Sequence, residues 1–310
     1  MENTRTKTTR NSLILLLTAA IWGMAFVSQS KGMDYMHPFT FNGVRSLIGA
    51  ASILVYILIS RKIAGDKAAP LDWKLNVKAG LLCGIFLTIA STLQQFGIKY
   101  TSVGKAGFIT TLYIIFVPMF GIFLKKKVAP VVWAAAVMAA VGMYLLCMTE
   151  SLRLGAGDIM VFLCAIAFAI QIMTVDHYAA RIDGAVVSCI QFTVCGVVCC
   201  IGALIWGQPT FGQLQEGLGA LLYAGVLSCG VGYTLQIVGQ KGLNPTVAAL
   251  IMSLESVIAT ISGWIAYKIG FLTTDQTLTA RQIAGCVIVF AAVILVSFRR
   301  NGFVLAKKNA

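Results

Sequence analysis

Apolar residues in this chain come in long unbroken runs rather than in the alternation of strands or the narrow stripe of soluble helices. Runs of about 20 residues, enough to cross a hydrocarbon core of about 30 Å, fall at roughly 11–29, 38–60, 75–98, 103–124, 128–148, 158–177, 184–206, 217–239, 245–267 and 280–298. Proline punctuates them: Pro38, Pro130 and Pro245 open runs, Pro70 and Pro209 lie between runs, and only Pro118 sits inside one. The longest gaps, 61–74 and 268–279, leave no room for a soluble domain. The pattern predicts an all-α polytopic membrane protein of ten transmembrane helices.

Within that pattern one stretch occurs twice. Residues 92–121 align with 234–263 at an offset of 142, bringing Thr92, Leu93, Gln94, Gly97 and Lys99 onto Thr234, Leu235, Gln236, Gly239 and Lys241, and Ala106, Leu112 and Gly121 onto Ala248, Leu254 and Gly263. A weaker match at about 145 sets Ala20-Ile21 on Ala165-Ile166. The copies are five runs apart, an odd number, so the second must enter the membrane upside down. The expected organisation is two inverted five-helix repeats, 1–150 and 151–310. Such repeats are a signature of secondary transporters; a duplication kept only for packing is the alternative.

Composition agrees with the membrane reading. The 310 residues are 58% hydrophobic and 11% charged, where soluble domains carry about 25% charge. The formal charge of +13 does not point to nucleic acid, because the basic residues lie between apolar runs instead of forming a patch with interleaved aromatics. It reads instead as topology. With a cytoplasmic N-terminus, 17 of the 24 Lys and Arg fall on the inner side, including Arg5, Lys7, Arg10, Arg61, Lys62 and Lys125 to Lys127. Both termini are therefore expected in the cytoplasm, the bias being strong in the first half and weak in the second. Arg5, Lys7 and Arg10 before Leu13–Val27 mimic a signal peptide, but no small-x-small cleavage site ends the run, which is kept as the first span. All nine cysteines lie in apolar runs without metal-ligand spacing, so they are expected to be small packing residues, with neither disulfides nor zinc.

Polar residues inside the runs are the candidate site. Glu255 lies ten residues into its run, about 15 Å deep, where an ionised carboxylate is expensive and usually functional. It either exchanges a proton or fixes its helix to a neighbour. Ser91, Gln94 and Gln95 share one helical face, as do Tyr233, Gln236 and Gln240; such stripes face protein or water rather than lipid. Gln171 and Gln191 add donors and acceptors, and Trp22 and Tyr113 aromatic surface. Arg45, about 10 Å deep, either holds a substrate carboxylate or phosphate, or snorkels outward or makes a structural pair, with Asn42 as its polar neighbour one turn earlier. Asp158, Asp176 and Lys105 mark interfaces, Pro118 is a candidate hinge, and His37 and His177 stand at span ends too far apart for a relay. There is no phosphate-binding loop and no nucleophile paired with a base, so no ATP-driven pumping, enzymatic activity or cofactor is expected.

Several short segments resemble, in order and spacing, the EamA-type carriers of the drug/metabolite transporter superfamily. These are Ile21-Trp22-Gly23; Pro38 with Arg45; Gly97-Ile98-Lys99-Tyr100-Thr101-Ser102 with Ala106-Gly107-Phe108; and Ala248-Ala249-Leu250 with Ser253-Leu254-Glu255. The likeness spans nearly the whole chain. It departs where Ser256 follows Glu255 in place of the family's proline, and where Lys125-Lys126-Lys127 and Lys268-Ile269-Gly270 replace a Gly-Glu pair. The resemblance implies a central cavity bounded by spans one to four and six to nine, peripheral spans five and ten, and export of small organic metabolites such as amino acids. A nucleotide-sugar or cofactor-type anion carrier of the same superfamily is the alternative, favoured if Arg45 and Lys105 both face the cavity. A membrane-embedded enzyme or sensor is the alternative of another class. The expected setting is the plasma membrane, or a bacterial inner membrane, as a monomer or homodimer in contact with lipid and a small-molecule substrate.

Overall fold

The computed structural model describes residues 2–65, 70–124, 130–147, 155–272 and 277–306; the basic residues Lys67, Lys125 to Lys127, Arg153, Lys307 and Lys308 lie outside them. The described residues form helices and no strands. In order these are α1 (Glu2–Gly32), α2 (Pro38–Ala64), α3 (Trp73–Ile98), α4 (Val103–Thr111), α5 (Tyr113–Phe123), α6 (Pro130–Cys147), α7 (Ala156–Tyr178) and α8 (Gly184–Gly202) with a π-helical end over Ala203–Gly207. They continue with α9 (Phe211–Glu216), α10 (Leu218–Leu222), a π-helical segment over Tyr223–Gly232, α11 (Tyr233–Gln240), α12 (Pro245–Met252), α13 (Glu255–Lys268) and α14 (Ala280–Ala306). Polar side chains set the starts. Asp72, Ser102, Asp183 and Asn244 each accept a backbone N–H of the first turn, His37 does so before Pro38, and Pro38 and Pro245 take the first helical position, where a missing N–H costs nothing.

Eight stretches are long and apolar enough to cross a membrane: Lys7–Gly32, Pro38–Ala64, Trp73–Ile98, Val103–Phe123, Ala156–Tyr178, Gly184–Gly207, Leu218–Gln240 and Pro245–Lys268. The apolar stretches Pro130–Gly142 in α6 and Ala280–Leu295 in α14 are shorter. The sequence pattern did not foretell the interruptions. Val103–Phe123 breaks at Leu112, and Pro245–Lys268 breaks at Ser253 and Leu254. Pro118 is not the cause of the first, since it lies inside α5 and the second break has no proline near it. Hydroxyls do the local work instead: Thr111 Oγ1 donates to the Phe108 carbonyl, Ser253 Oγ to Leu250 and Ser256 Oγ to Ser253, each over 2.8–2.9 Å. Side-chain donors of this kind satisfy backbone groups that lipid cannot.

The α2 helix packs on α8 and on the Tyr223–Gly232 segment, α3 on α7 and α8, and α1 on α11 and α13. The α4 helix meets α13 and α5 meets α12, while α6 and α14 pair with each other. Large apolar residues such as Leu58, Phe123, Leu204 and Ile269 point outward, and Gln94, Gln95, Gln171, Gln191, Gln236 and Gln240 are buried. This is the arrangement a hydrocarbon solvent selects.

Candidate substrate cavity

Every one of the eight long stretches sends side chains to one central cavity of about 30 Å³, space for about two waters. Trp22, Phe26 and Gln29 come from α1, Arg45 from α2, Leu87, Ser91 and Gln94 from α3, Thr110 and Tyr113 from α4 and α5, Phe168 and Ile172 from α7, and Phe192 from α8. Ser228, Cys229, Tyr233 and Gln236 come from the π segment and α11, and Glu255 from α13. No lining residue is more than 9% exposed. The cavity is thus deeply buried.

Its walls are aromatic. Trp22 and Tyr233 lie 4.5 Å apart between ring centroids, and Phe192 meets Tyr233 edge-on at 4.9 Å. Trp22 Nε1 points to the Ser228 carbonyl at 3.4 Å, a group the wide π turn leaves reachable; π segments recur at functional sites. The Tyr113 hydroxyl donates to Glu255 Oε1 at 3.0 Å. Glu255 is 3% exposed and begins α13 just past the helix break.

Arg45 does not snorkel. It is 5% exposed, its Nε donates to Asn42 Oδ1 at 3.0 Å, and its guanidinium lies over Phe41 with 5.4 Å from the guanidinium carbon to the ring centroid. Asn42 lies behind it, off the cavity, where its amide nitrogen donates to Ser91 Oγ (3.0 Å), Thr92 Oγ1 (3.3 Å) and Cys199 Sγ (3.2 Å). Of the other glutamines, Gln94 lines the cavity and donates to Thr110 Oγ1 at 3.2 Å, whereas Gln95 turns away to the Gln29 carbonyl at 3.3 Å. Gln171 and Gln191 do not line the cavity; Gln171 exchanges amide contacts with Gln236 at 3.2 and 3.5 Å and reaches Gln191 at 3.5 Å, forming a layer beside it. Lys105 and Asp158 prove to be partners away from the cavity: Lys105 Nζ lies 2.6 Å from Asp158 Oδ2, and Asp158 also accepts from Thr101 and the Gly155 amide.

Sequence reasoning missed Phe26, Gln29, Thr110, Phe168, Phe192, Ser228 and Cys229. A signal existed for the first two, because Trp22, Phe26 and Gln29 follow i, i+4, i+7 on one face. For Ser228 and Cys229 the only trace was the cluster Gly225, Gly230 and Gly232; a Cβ on Gly225 would meet the Arg45 carbonyl at 2.9 Å, so this segment lies backbone-close to α2.

A bundle of membrane-length helices that isolates polar and charged groups in one central chamber is the frame of a multi-pass membrane transporter. The EamA-like transporter family profile matches residues 10–148 and again 155–298, and the chain belongs to that family, within the drug/metabolite transporter superfamily. It is a transporter and not an enzyme. Similar proteins include an uncharacterized transporter of Archaeoglobus fulgidus, 28% identical over 92% of this chain and 85% of that protein. Another is the uncharacterized transporter YwfM of Bacillus subtilis, 27% identical over 81% of this chain and 84% of that one. A solved crystal structure shares the fold, with a TM-score of 0.72 at 17% identity over 94% of this chain and 98% of the other.

Proposed function

We propose that the protein exports small organic metabolites, such as amino acids, by alternating access between two inverted five-helix halves, with proton exchange at Glu255. The observation that carries the reading is the hydrogen bond between Tyr113 and Glu255. These two residues are equivalents at the 142-residue offset, and residues close to a two-fold axis are the ones that meet their own counterparts.

The packing supports the same symmetry. Spans four and nine break at Leu112 and Leu254, which are also equivalent. The first half of span four meets the second half of span nine, and the reverse, as antiparallel partners do. Gly97 approaches Gly157 and Val161 of α7, and its counterpart Gly239 approaches Asn11 and Leu15 of α1. These contacts place α1 on α7 at a register of 146 (157 − 11), close to the weaker match in sequence. Halves related this way exchange inward-open and outward-open forms around a shared site, and the deeply buried chamber between them corresponds to an occluded form. Spans five and ten, α6 and α14, stand aside from the chamber. The basic residues favour both termini in the cytoplasm.

A nucleotide-sugar carrier is the weaker reading, since Lys105 is committed to Asp158 away from the cavity. The groups facing Glu255 are Tyr113, Tyr233 and Cys164, with Arg45 across the cavity, so the carboxyl is the acidic group available for proton exchange there. The test is flux of candidate metabolites into proteoliposomes across a pH series. Glu255→Gln is expected to abolish the pH dependence; an unchanged pH profile would remove Glu255 from the mechanism.

A further inference from the structure

Arg45 is the cavity's unmatched charge. The guanidinium is buried, yet among the described residues no carboxylate lies within ion-pair distance of it. Its one hydrogen bond is the Nε contact to Asn42, and its face rests on Phe41. The network behind Asn42 decides which way that amide points: its nitrogen serves Ser91, Thr92 and Cys199, so its oxygen is held toward Arg45. One edge and one face of the guanidinium are thus fixed by protein, its two terminal nitrogens have no hydrogen-bond partner among the described residues, and Arg45 lines the cavity. A buried cation without a counter-ion is costly, and the cost is relieved by a partner that brings both charge and lone pairs.

We propose that Arg45 is the docking residue for a carboxylate on the transported solute, which the two terminal nitrogens take end-on; this rests on the transport reading above. A guanidinium presents parallel N–H groups matched to a planar carboxylate. The scaffold that holds it, Asn42 with Ser91 and Thr92, spans α2 and α3, so occupancy is felt by both helices. Glu255 stands in the same chamber with one oxygen engaged by Tyr113. The pair divides solutes by charge. A zwitterion presents its carboxylate to Arg45 and its ammonium to ionised Glu255, and so enters as Glu255 gives up its proton. A simple monoanion leaves the chamber neutral only when Glu255 carries a proton, and so moves together with one.

The experiment is thermal unfolding of the purified full chain with matched probes: acetate, propionate and alanine, against acetamide, propionamide and alaninamide, and methyl phosphate, at constant ionic strength. Carboxylates are expected to raise the unfolding temperature and the amides not to, since only a ligand bound to the folded state stabilises it. Arg45→Gln should raise the apparent Kd by roughly thirtyfold or more, the scale for truncating one partner of a buried charge pair, and Arg45→Lys should retain only part of the binding. Asn42→Asp supplies an internal counter-ion, and is expected to fold at least as stably as wild type while losing carboxylate binding, which guards against a merely unfolded Arg45 variant. Stabilisation by amides equal to that by carboxylates, preference for methyl phosphate, absence of any carboxylate effect, or undiminished binding in Asn42→Asp and Arg45→Gln would each overturn the assignment. Flux in proteoliposomes separates the two proposals: transport of carboxylate solutes untouched by Arg45→Gln sinks the docking role alone, and carboxylate binding without flux of any solute sinks the transport reading alone.

Discussion

The two glycines related by the 142-residue offset offer a quantitative test of how the helices meet. Gly97 and Gly239 both lie at the second-last position of their helices, α3 and α11, and both press on a neighbour. What they press on differs. A Cβ on Gly97 would collide with Val161 Cγ2 and lie 2.8 Å from the Gly157 carbonyl oxygen and 3.3 Å from the Val161 amide nitrogen. Two of those three atoms are backbone, so α3 and α7 would have to move apart. A Cβ on Gly239 would lie 2.8 Å from both Cγ and Cδ2 of the fully buried Leu15, and 3.2 Å from the Asn11 carbonyl oxygen, so it meets one backbone atom instead of two.

Overpacking a tight core costs about 1–3 kcal/mol, and Gly→Ala returns up to about 1 kcal/mol of helix propensity, less near a helix end. Gly97→Ala should therefore destabilise by about 2 kcal/mol, and Gly239→Ala by about 1 kcal/mol. At about 2–4 °C per kcal/mol, the first loses roughly twice as many degrees as the second. A thiol-reactive dye reads the transition well, because Cys83, Cys164, Cys195, Cys199 and Cys229 are buried until the bundle opens. Equal losses, or a larger loss at Gly239, would refute the claim that backbone contact distinguishes the two crossings.

Three further outcomes follow from the same contacts. At the Lys105–Asp158 pair, Lys105 is 20% exposed and Asp158 4%, so Lys105→Met strands a buried carboxylate and should cost about 2 kcal/mol. Asp158→Asn keeps an acceptor for Lys105 and Gly155 and a donor for Thr101, and should cost about half as much in denaturant or thermal unfolding; the reverse order would be contrary evidence. Tyr113→Phe and Glu255→Gln should couple by about 0.6–1.5 kcal/mol in a double-mutant cycle of unfolding stability, and additive effects would mean that the 3.0 Å contact contributes nothing. His37 lies between α1 and α2, and burial, then the nearby Lys99 charge, hold its imidazole below the usual histidine value of 6.5. Because the unfolded chain takes up the proton first, stability is full above about pH 6.5 and declines as pH falls below it. Protonation also removes the Nδ1 acceptor that caps Phe39 N–H. His37→Asn, which caps without titrating, should flatten that decline, as measured by unfolding temperature from pH 7.5 to 5.

Eight of the ten expected spans were legible because hydrocarbon imposes length and apolarity on every residue that faces it, and the echo of 92–121 in 234–263 made the hairpins visible before any contact was known. The helix breaks were not legible, because Thr111, Ser253 and Ser256 beside them bond a preceding carbonyl just as Ser52 does inside the unbroken α2 and Thr88 inside the unbroken α3, so serine or threonine in an apolar run looks the same whether the helix bends or continues. The polar stripe on α3 was visible, but not which of its members reach the cavity: Gln94 and Gln95 are neighbours in sequence, and one helical step of about 100° sends the second to the Gln29 carbonyl.

Arg45 shows the same limit from the other side. Its depth of about 10 Å permitted either a snorkelling side chain or an anion site, and depth alone could not choose. The choice is made by residues far apart in the chain: Ser91 and Thr92 hold Asn42, Asn42 holds the guanidinium edge, and Phe41 holds its face. Snorkelling needs an open path to the interface and freedom of the side chain, and this scaffold removes both. A position inside a membrane therefore acquires its chemistry from tertiary neighbours. Asn42→Asp tests this most sharply, because it leaves Arg45 untouched and gives the guanidinium the counter-ion it lacks, while replacing the amide nitrogen that donates to Ser91 and Thr92 by an oxygen that accepts from their hydroxyls.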